Sequence, residues 1–217
     1  MAKKKIYISP SSQTGNKYAV GNTTEAIQCR LIAEALVQAL KRCGFEAMTD
    51  LVGDMYKRVA QSNKWGASLH LPIHTNAYNK KVKGTRLFSY DQKGKGYQAC
   101  KAIMAELAPI TPGTSDSITA KPALYEIRNA HAPVAYIEVA FHDNPEEARW
   151  IIDSTQAIAE AICKGVCKYY GIDYIAPAAA LYCVQLGAFS SEEDARELQG
   201  KLEEAGFSGS VIGEVAF

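Results

Sequence analysis

Val134-Ala135-Tyr136-Ile137-Glu138-Val139-Ala140-Phe141-His142 is an apolar run with one carboxylate inside it. Ala135 to Ala140, with Ile137 and Val139 at its centre, reads as a buried strand. Downstream, Pro145 to Ile151 and Thr155 to Tyr170 read as helices. Upstream, Thr85 to Tyr90 reads as a strand and Tyr97 to Leu107 as a helix that ends before Pro109. Ser68 to His74 sets Leu69, Leu71 and Ile73 against His70, Pro72 and His74, a buried strand with functional groups at its C-terminal end. Met55 to Lys64 is a further helix and Phe45 to Thr49 a further strand.

A strong helix is expected over Glu25 to Arg42. Ile27, Leu31, Ala35, Leu36 and Leu40 recur at intervals of three and four, Thr23 or Thr24 is the N-cap, and Gly44 is the stop. Lys4 to Ile8 is the first strand, ended by Pro10. Strands alternating with helices give an α/β fold, a mostly parallel twisted sheet with helices on both faces. Ligands of such sheets sit beyond the C-terminal ends of the strands. Ser11 to Gln13, His74 to Asn76 and Glu138 to His142 all fall there.

Residues 1–174 form this unit, 175–180 (Ile-Ala-Pro-Ala-Ala-Ala) read as a linker, and 181–217 as a partial βαβ module. In that module Leu181 to Leu186 is a strand, Ser190 to Ala205 a helix and Val211-Ile212 the start of another strand. A lone unit of this size buries little core, so the chain is expected to stop partway through its second domain.

With 24 Lys and Arg against 23 Asp and Glu, the net charge of +1 offers no basic excess for nucleic acid. Met1 to Lys5 is basic, but no long apolar run follows it, so neither signal peptide nor membrane insertion is expected. The expectation is a cytoplasmic monomer until released. None of the six cysteines forms a Cys-x-x-Cys pair. Cys163 and Cys167 share a helix face, but no second ligand pair accompanies them, and the cysteines read as buried small hydrophobes.

Three side chains carry the chemistry. Glu25 lies in the first turn of its helix, where a carboxylate also suits the helix dipole. His74 ends a strand, a place where structural histidines also occur. Glu138 sits within an apolar strand, which is costly for a carboxylate that is neither paired nor bound. Imidazole and carboxylate bind Zn²⁺ and leave a position for water, and a further carboxylate serves as proton acceptor. No His-Glu-x-x-His helix is present, so spacing alone does not establish this.

Residues 1–174 resemble the amidase-3 family of N-acetylmuramoyl-L-alanine amidases. The resemblance rests on Ile6-Tyr7-Ile8-Ser9-Pro10, the Glu-bearing helix from Gly21 to Leu36, and Pro72-Ile73-His74-Thr75-Asn76-Ala77. It continues through Tyr125-Glu126-Ile127-Arg128-Asn129 and Pro133 to Asn144. It implies that Glu25 and His74 bind zinc and that Glu138 is the catalytic carboxylate. The family's first histidine ligand is replaced by Ser12, a poor zinc ligand. His142 is one candidate for the missing donor; Gln13 or Ser12 ligating weakly or through water is another. His70, about 13 Å from His74 by strand rise, and His131, on a loop, are weaker candidates. Arg128 is the candidate contact for a substrate carboxylate, or else a surface ion pair. Asn76 is a second substrate-binding candidate.

Residues 181–217 resemble the sporulation-related (SPOR) repeat, a peptidoglycan-binding module, through Tyr182 to Phe189 and the helix Glu193 to Ala205. Gln185 and Phe189 match its glycan-binding strand in type. The resemblance implies a zinc-dependent peptidoglycan hydrolase acting at the bond between N-acetylmuramic acid and L-alanine, as an endolysin or an autolysin. The alternatives are a non-catalytic wall-binding protein with a degraded metal site, and a metallopeptidase of stem peptides.

Overall fold

The computed structural model describes residues 3–178 and 187–207. In chain order the elements are β1 (Lys5–Pro10), α1 (Glu25–Arg42), β2 (Glu46–Thr49), α2 (Met55–Trp65), β3 (Leu69–Asn76) and β4 (Arg86–Ser89). They continue with α3 (Lys95–Leu107), β5 (Ser117–Ala120), α4 (Tyr125–Asn129), β6 (Tyr136–Phe141), α5 (Pro145–Asp153), α6 (Thr155–Tyr170) and α7 (Glu192–Glu204). The sheet order is β2-β1-β3-β6-β4-β5. β2, β1, β3 and β6 run parallel, and β4 with β5 runs against them at the β4–β6 edge. This is the mostly parallel α/β sheet that the alternation of elements implies.

One sheet face carries Ile6, Ile8, Leu69, Leu71 and Ile73, packed with α1, α3 and α6 into the main core. The other face carries Tyr7, His70 and His74. α2 covers part of it: Tyr7 Oη donates to Gln61 Oε1 (2.6 Å), and His70 Nδ1 lies 3.0 Å from Ser62 Oγ. Strand alternation therefore turns one side of β3 to the core and the other to polar partners. Pro72 lacks the N–H that a central strand needs. The β3–β6 ladder is interrupted there, between the His70–Val134 bridge and the Ile73–Ile137 pair.

The buried stripe of α1 differs from the expected one. Ala26, Cys29, Ile32, Ala33, Leu36 and Leu40 face the sheet, while Ile27 and Leu31 are 48% and 44% exposed. The helix is apolar around a wide arc, and contact with the sheet selects which part of it is buried. Two elements absent from the sequence expectation, β5 and α4, are four and five residues long. Neither is long enough to show a period.

The chain divides into two compact units, Met1–Pro177 and Ala178–Phe217. Ile175, assigned to the linker by composition, is tied to the first unit. Its carbonyl accepts from Arg42 Nε (2.8 Å), and its N–H donates to Cys43 Sγ (3.3 Å). In the second unit the described helix is α7, capped by Ser191 Oγ, which accepts from the Asp194 N–H. The expected strands at 181–186 and 211–212 lie outside the described residues. Among the described residues no helix is long and apolar enough to cross a membrane.

Candidate functional site

The C-terminal ends of β3 and β6 lie side by side, and their register pairs His74 with Glu138. α1 begins at Glu25, whose Oε1 lies 2.8 Å from His74 Nδ1. The three residues singled out from the sequence thus share one site. Asn16 Nδ2 donates to Glu25 Oε2 (2.6 Å) and to Gln13 Oε1 (2.9 Å), and the Ser11 hydroxyl adds a bond to the Glu25 carboxylate. The Tyr136 ring stacks on His74 with centroids 4.7 Å apart.

A fourth member, Glu126 on α4, was not singled out from the sequence. It is buried, and it spans both histidines of β3: Oε1 lies 3.2 Å from His70 Nε2, and Oε2 lies 3.9 Å from His74 Nε2. Ser9 Oγ donates to the same carboxylate. His70 is therefore a second support for the site, linked to His74 through one side chain. The sequence signal for Glu126 is a lone carboxylate beside Ile127 in a short segment, too brief to assign an inward face.

The electrostatics follow from packing three carboxylates around one imidazole. Burial opposes a charge on His74, but Glu126, Glu25 and Glu138 together raise its pKa to about 9. Burial likewise works to raise Glu126, yet its bonds to His70 and His74 hold it at about 2. Glu25 is also lowered; burial opposes this and the bond to His74 outweighs it. Glu138 goes the other way: burial pushes it up to about 7, against the pull of His74. Glu138 Oε2 is buried and has no hydrogen-bond partner among the described residues.

The candidates for the missing third donor are placed as follows. His142 does not join Glu25 and His74. Its Nδ1 donates to the Thr75 carbonyl (2.9 Å), lies 3.0 Å from Thr75 Oγ1, and its ring stacks on Tyr18. The cause is strand alternation: Thr75 follows His74 and turns to the opposite face of the sheet. Ser12 is exposed, and the buried serine of this loop is Ser11. Gln13 reaches Glu25 only through Asn16. Among the described residues no third His, Cys, Asp or Glu donor stands within 4.8 Å of both Glu25 and His74.

Arg128 is exposed, two positions beyond Glu126 on α4, and so on the far side of that helix. His131 is also exposed. Arg86 is the cross-strand neighbour of Glu138 on β4, and its guanidinium donates to the Thr85 carbonyl (3.3 Å) and Ser115 Oγ (2.8 Å) and lies over the Phe141 ring. Arg86 lines a shallow hollow of about 290 Å³ with Asn76, Ala77, Tyr78, Val82 and Phe141. In the second unit Phe189 is 47% exposed, and Gln185 lies outside the described residues.

The donors fit zinc at two positions. Imidazole nitrogen and carboxylate oxygen are groups that zinc takes. The unpartnered Glu138 Oε2 also shows a polar site that the protein leaves incomplete.

Both units of the chain are similar to known proteins. Residues 178–216 match the SPOR domain. The chain is 30% identical over 120 residues to the germination-specific N-acetylmuramoyl-L-alanine amidase of Bacillus subtilis (strain 168), covering 54% of this chain and 51% of that protein. It is 29% identical over 168 residues to the N-acetylmuramoyl-L-alanine amidase CwlM of Bacillus licheniformis, covering 76% of this chain and 64% of that protein. The chain thus spans between half and two thirds of these curated relatives. The structure of the N-acetylmuramoyl-L-alanine amidase AmiC2 of Nostoc punctiforme superposes with a TM-score of 0.70 at 20% identity, over 78% of this chain and 98% of that one. At that identity the likeness concerns the fold. Residues 6–168, most of the chain, match the amidase-3 family, described as N-acetylmuramoyl-L-alanine amidase, and to that family the chain belongs.

Proposed function

We propose that the chain hydrolyses the amide between the lactyl group of N-acetylmuramic acid and L-alanine of the peptidoglycan stem peptide, using zinc held by Glu25 and His74. The observation that carries this reading is Glu138. It is a mostly buried carboxylate paired in register with His74, with an unpartnered oxygen and a pKa near 7. A group poised near neutrality both takes and returns a proton efficiently. Zinc, when bound, supplies Lewis acidity: it polarises a carbonyl and lowers the pKa of water to about 7. Glu138 accepts the proton of the attacking water and delivers it to the departing amine. Glu126, His70 and Tyr136 hold the His74 ring in place. Ser11, bonded to the Glu25 carboxylate, and Gln13, joined to it through Asn16, are the neutral oxygen donors in the Glu25 network. Arg86 and Asn76, which line one hollow, are the proposed contacts for the peptide's carboxylate and amide groups. The second unit is proposed to hold peptidoglycan, on the strength of its SPOR match and the exposed Phe189.

A non-catalytic wall-binding protein is the second reading. It is favoured by the lack of a third His, Cys, Asp or Glu donor grouped with Glu25 and His74 within 4.8 Å among the described residues. Zinc content and product analysis on soluble muramyl-peptides separate the two. The amidase reading expects one zinc per chain and release of stem peptides that begin with L-alanine. Glu138→Gln then loses about 10²–10⁴ in rate while keeping zinc. Glu25→Ala and His74→Ala each lose zinc and activity together. A zinc-free chain that binds walls without cutting them favours the second reading. Glu138→Gln retaining full rate removes the proposed proton carrier, and cleavage within the stem peptide indicates a peptidase.

A further inference from the structure

The end of α1 opposite Glu25 carries a second group of metal-binding atoms. Cys43 caps α1, and Cys163 and Cys167 lie one turn apart on α6. They are 4%, 0% and 1% exposed. Among the described residues theirs are the only three His, Cys, Asp or Glu donors that all lie within 4.8 Å of one another. Cys29 and Cys100 are equally buried and stand outside the group, so burial of cysteine alone does not produce it.

The geometry is that of a thiolate site. Cys43 Sγ and Cys163 Sγ are 3.7 Å apart. Two thiolates each about 2.3 Å from one ion stand about 3.8 Å apart in tetrahedral and about 4.0 Å apart in trigonal geometry. The Ile175 N–H donates to Cys43 Sγ (3.3 Å), a bond that stabilises sulfur carrying negative charge. The Arg42 guanidinium is fixed nearby by Glu160 and by the Ile175 carbonyl, and its field acts on Cys167. Soft thiolates select Cu(I) and Zn(II). Structural zinc takes four ligands, whereas this site offers three side-chain donors.

We propose that Cys43, Cys163 and Cys167 bind one thiophilic d¹⁰ cation as a trithiolate, Cu(I) ahead of Zn(II), independently of the Glu25–His74 centre. Binding is ligand exchange: three thiols release three protons, three metal–sulfur bonds form, and no electron moves. The bound ion clips the end of α1 to α6 and to Ile175, where the chain leaves the first unit.

The test is an oxygen-free titration of the full chain with Cu(I) against a chromophoric Cu(I) chelator. The expected result is one equivalent withheld from the chelator, with thiolate-to-copper absorption in the ultraviolet and a rise in the thermal midpoint. Cys163→Ala and Cys43→Ser lose the withheld equivalent, whereas Cys29→Ala and Cys100→Ala keep it. Far-ultraviolet circular dichroism establishes that each variant is folded, and Cys43→Ser, at a helix cap, is the milder of the two. The proposal is overturned if the reduced wild type withholds no copper, or if folded Cys163→Ala and Cys43→Ser withhold as much as wild type. A Cys43–Cys163 disulfide in an air-exposed chain whose reduced form withholds no copper also overturns it. Zn(II) held more tightly than Cu(I) reverses the stated preference. None of these readouts uses wall cleavage, so they stand apart from the proposed amidase activity.

Discussion

His74 is the residue on which the site turns, because its two ring nitrogens face two carboxylates and a third lies on the neighbouring strand. In the metal-free chain these charges stabilise one another over a limited pH range. The folded pKa of His74, about 9, lies above its ordinary 6.5, so its contribution is full below pH 6.5 and lost as pH rises through 9. Glu126 is depressed from 4.5 to about 2, so its contribution is present above pH 4.5 and lost as pH falls through 2. Glu138 is raised from 4.5 to about 7, which favours the fold at low pH and is lost as pH rises through 7. The metal-free fold should therefore be most stable near pH 4.5, weaken towards pH 7 as Glu138 loses its contribution, and weaken further by pH 9 as His74 loses its own. The His74 part alone is about 3 kcal/mol. Urea unfolding at a series of pH values measures this, and His74→Gln should flatten the decline above pH 6.5. A wild-type midpoint that holds constant from pH 6.5 to 9 would contradict it. Glu25, His74 and Glu138 were legible in the sequence because each is a polar group at the end of, or inside, an apolar element. Glu126 was not, because a five-residue helix gives no period from which to infer its inward face.

Among the elements, α6 is the one against which both α1 and α3 pack. Gly165 lies at its crossing with α3. A Cβ there would come within 2.4 Å of Ile103 Cα and 2.9 Å of the Ala102 carbonyl oxygen, both backbone atoms. Gly165→Ala should therefore destabilise the fold by about 1–3 kcal/mol, despite alanine's higher helix propensity. Gly200, on α7, has open space around its Cβ position, and Gly200→Ala should be neutral or stabilising. Thermal or urea unfolding of the two variants checks the contrast; a neutral Gly165→Ala would show that the helices separate at little cost. The extent of α6, Thr155–Tyr170, was legible in the sequence. Its need for a glycine at Gly165 was not, because the neighbour that crowds it comes from α3, sixty residues earlier in the chain.

For the molecule as a whole, the first unit has its own core and its own candidate site, and it runs to Pro177. A chain cut after Pro177 should fold with the thermal midpoint of the first unit and cut soluble muramyl-peptides at an unchanged rate. Its loss should appear on whole cell walls, where binding by the second unit no longer concentrates it. A cut after Tyr174 removes the Ile175 bonds to Arg42 and Cys43, and should lower the midpoint relative to the cut after Pro177. Differential scanning calorimetry of both truncations decides this. Equal midpoints would mean that Ile175 contributes nothing to the first unit.

Local pattern was enough for the α/β architecture and most element spans, because hydrophobic period and helix stops are properties of neighbouring residues, while the grouping of Glu25, His74 and Glu138 was implied by the family resemblance. Tertiary contact settled the rest. The turn of β3 sends Thr75 and His142 away from His74. The sheet buries one arc of α1 and leaves Ile27 exposed. α4 brings Glu126 to two histidines, and folding carries Cys43 to Cys163. Each of these depends on which groups face each other across more than fifty residues of chain, or on which side of an element meets the core. A single sequence carries no local signal for either.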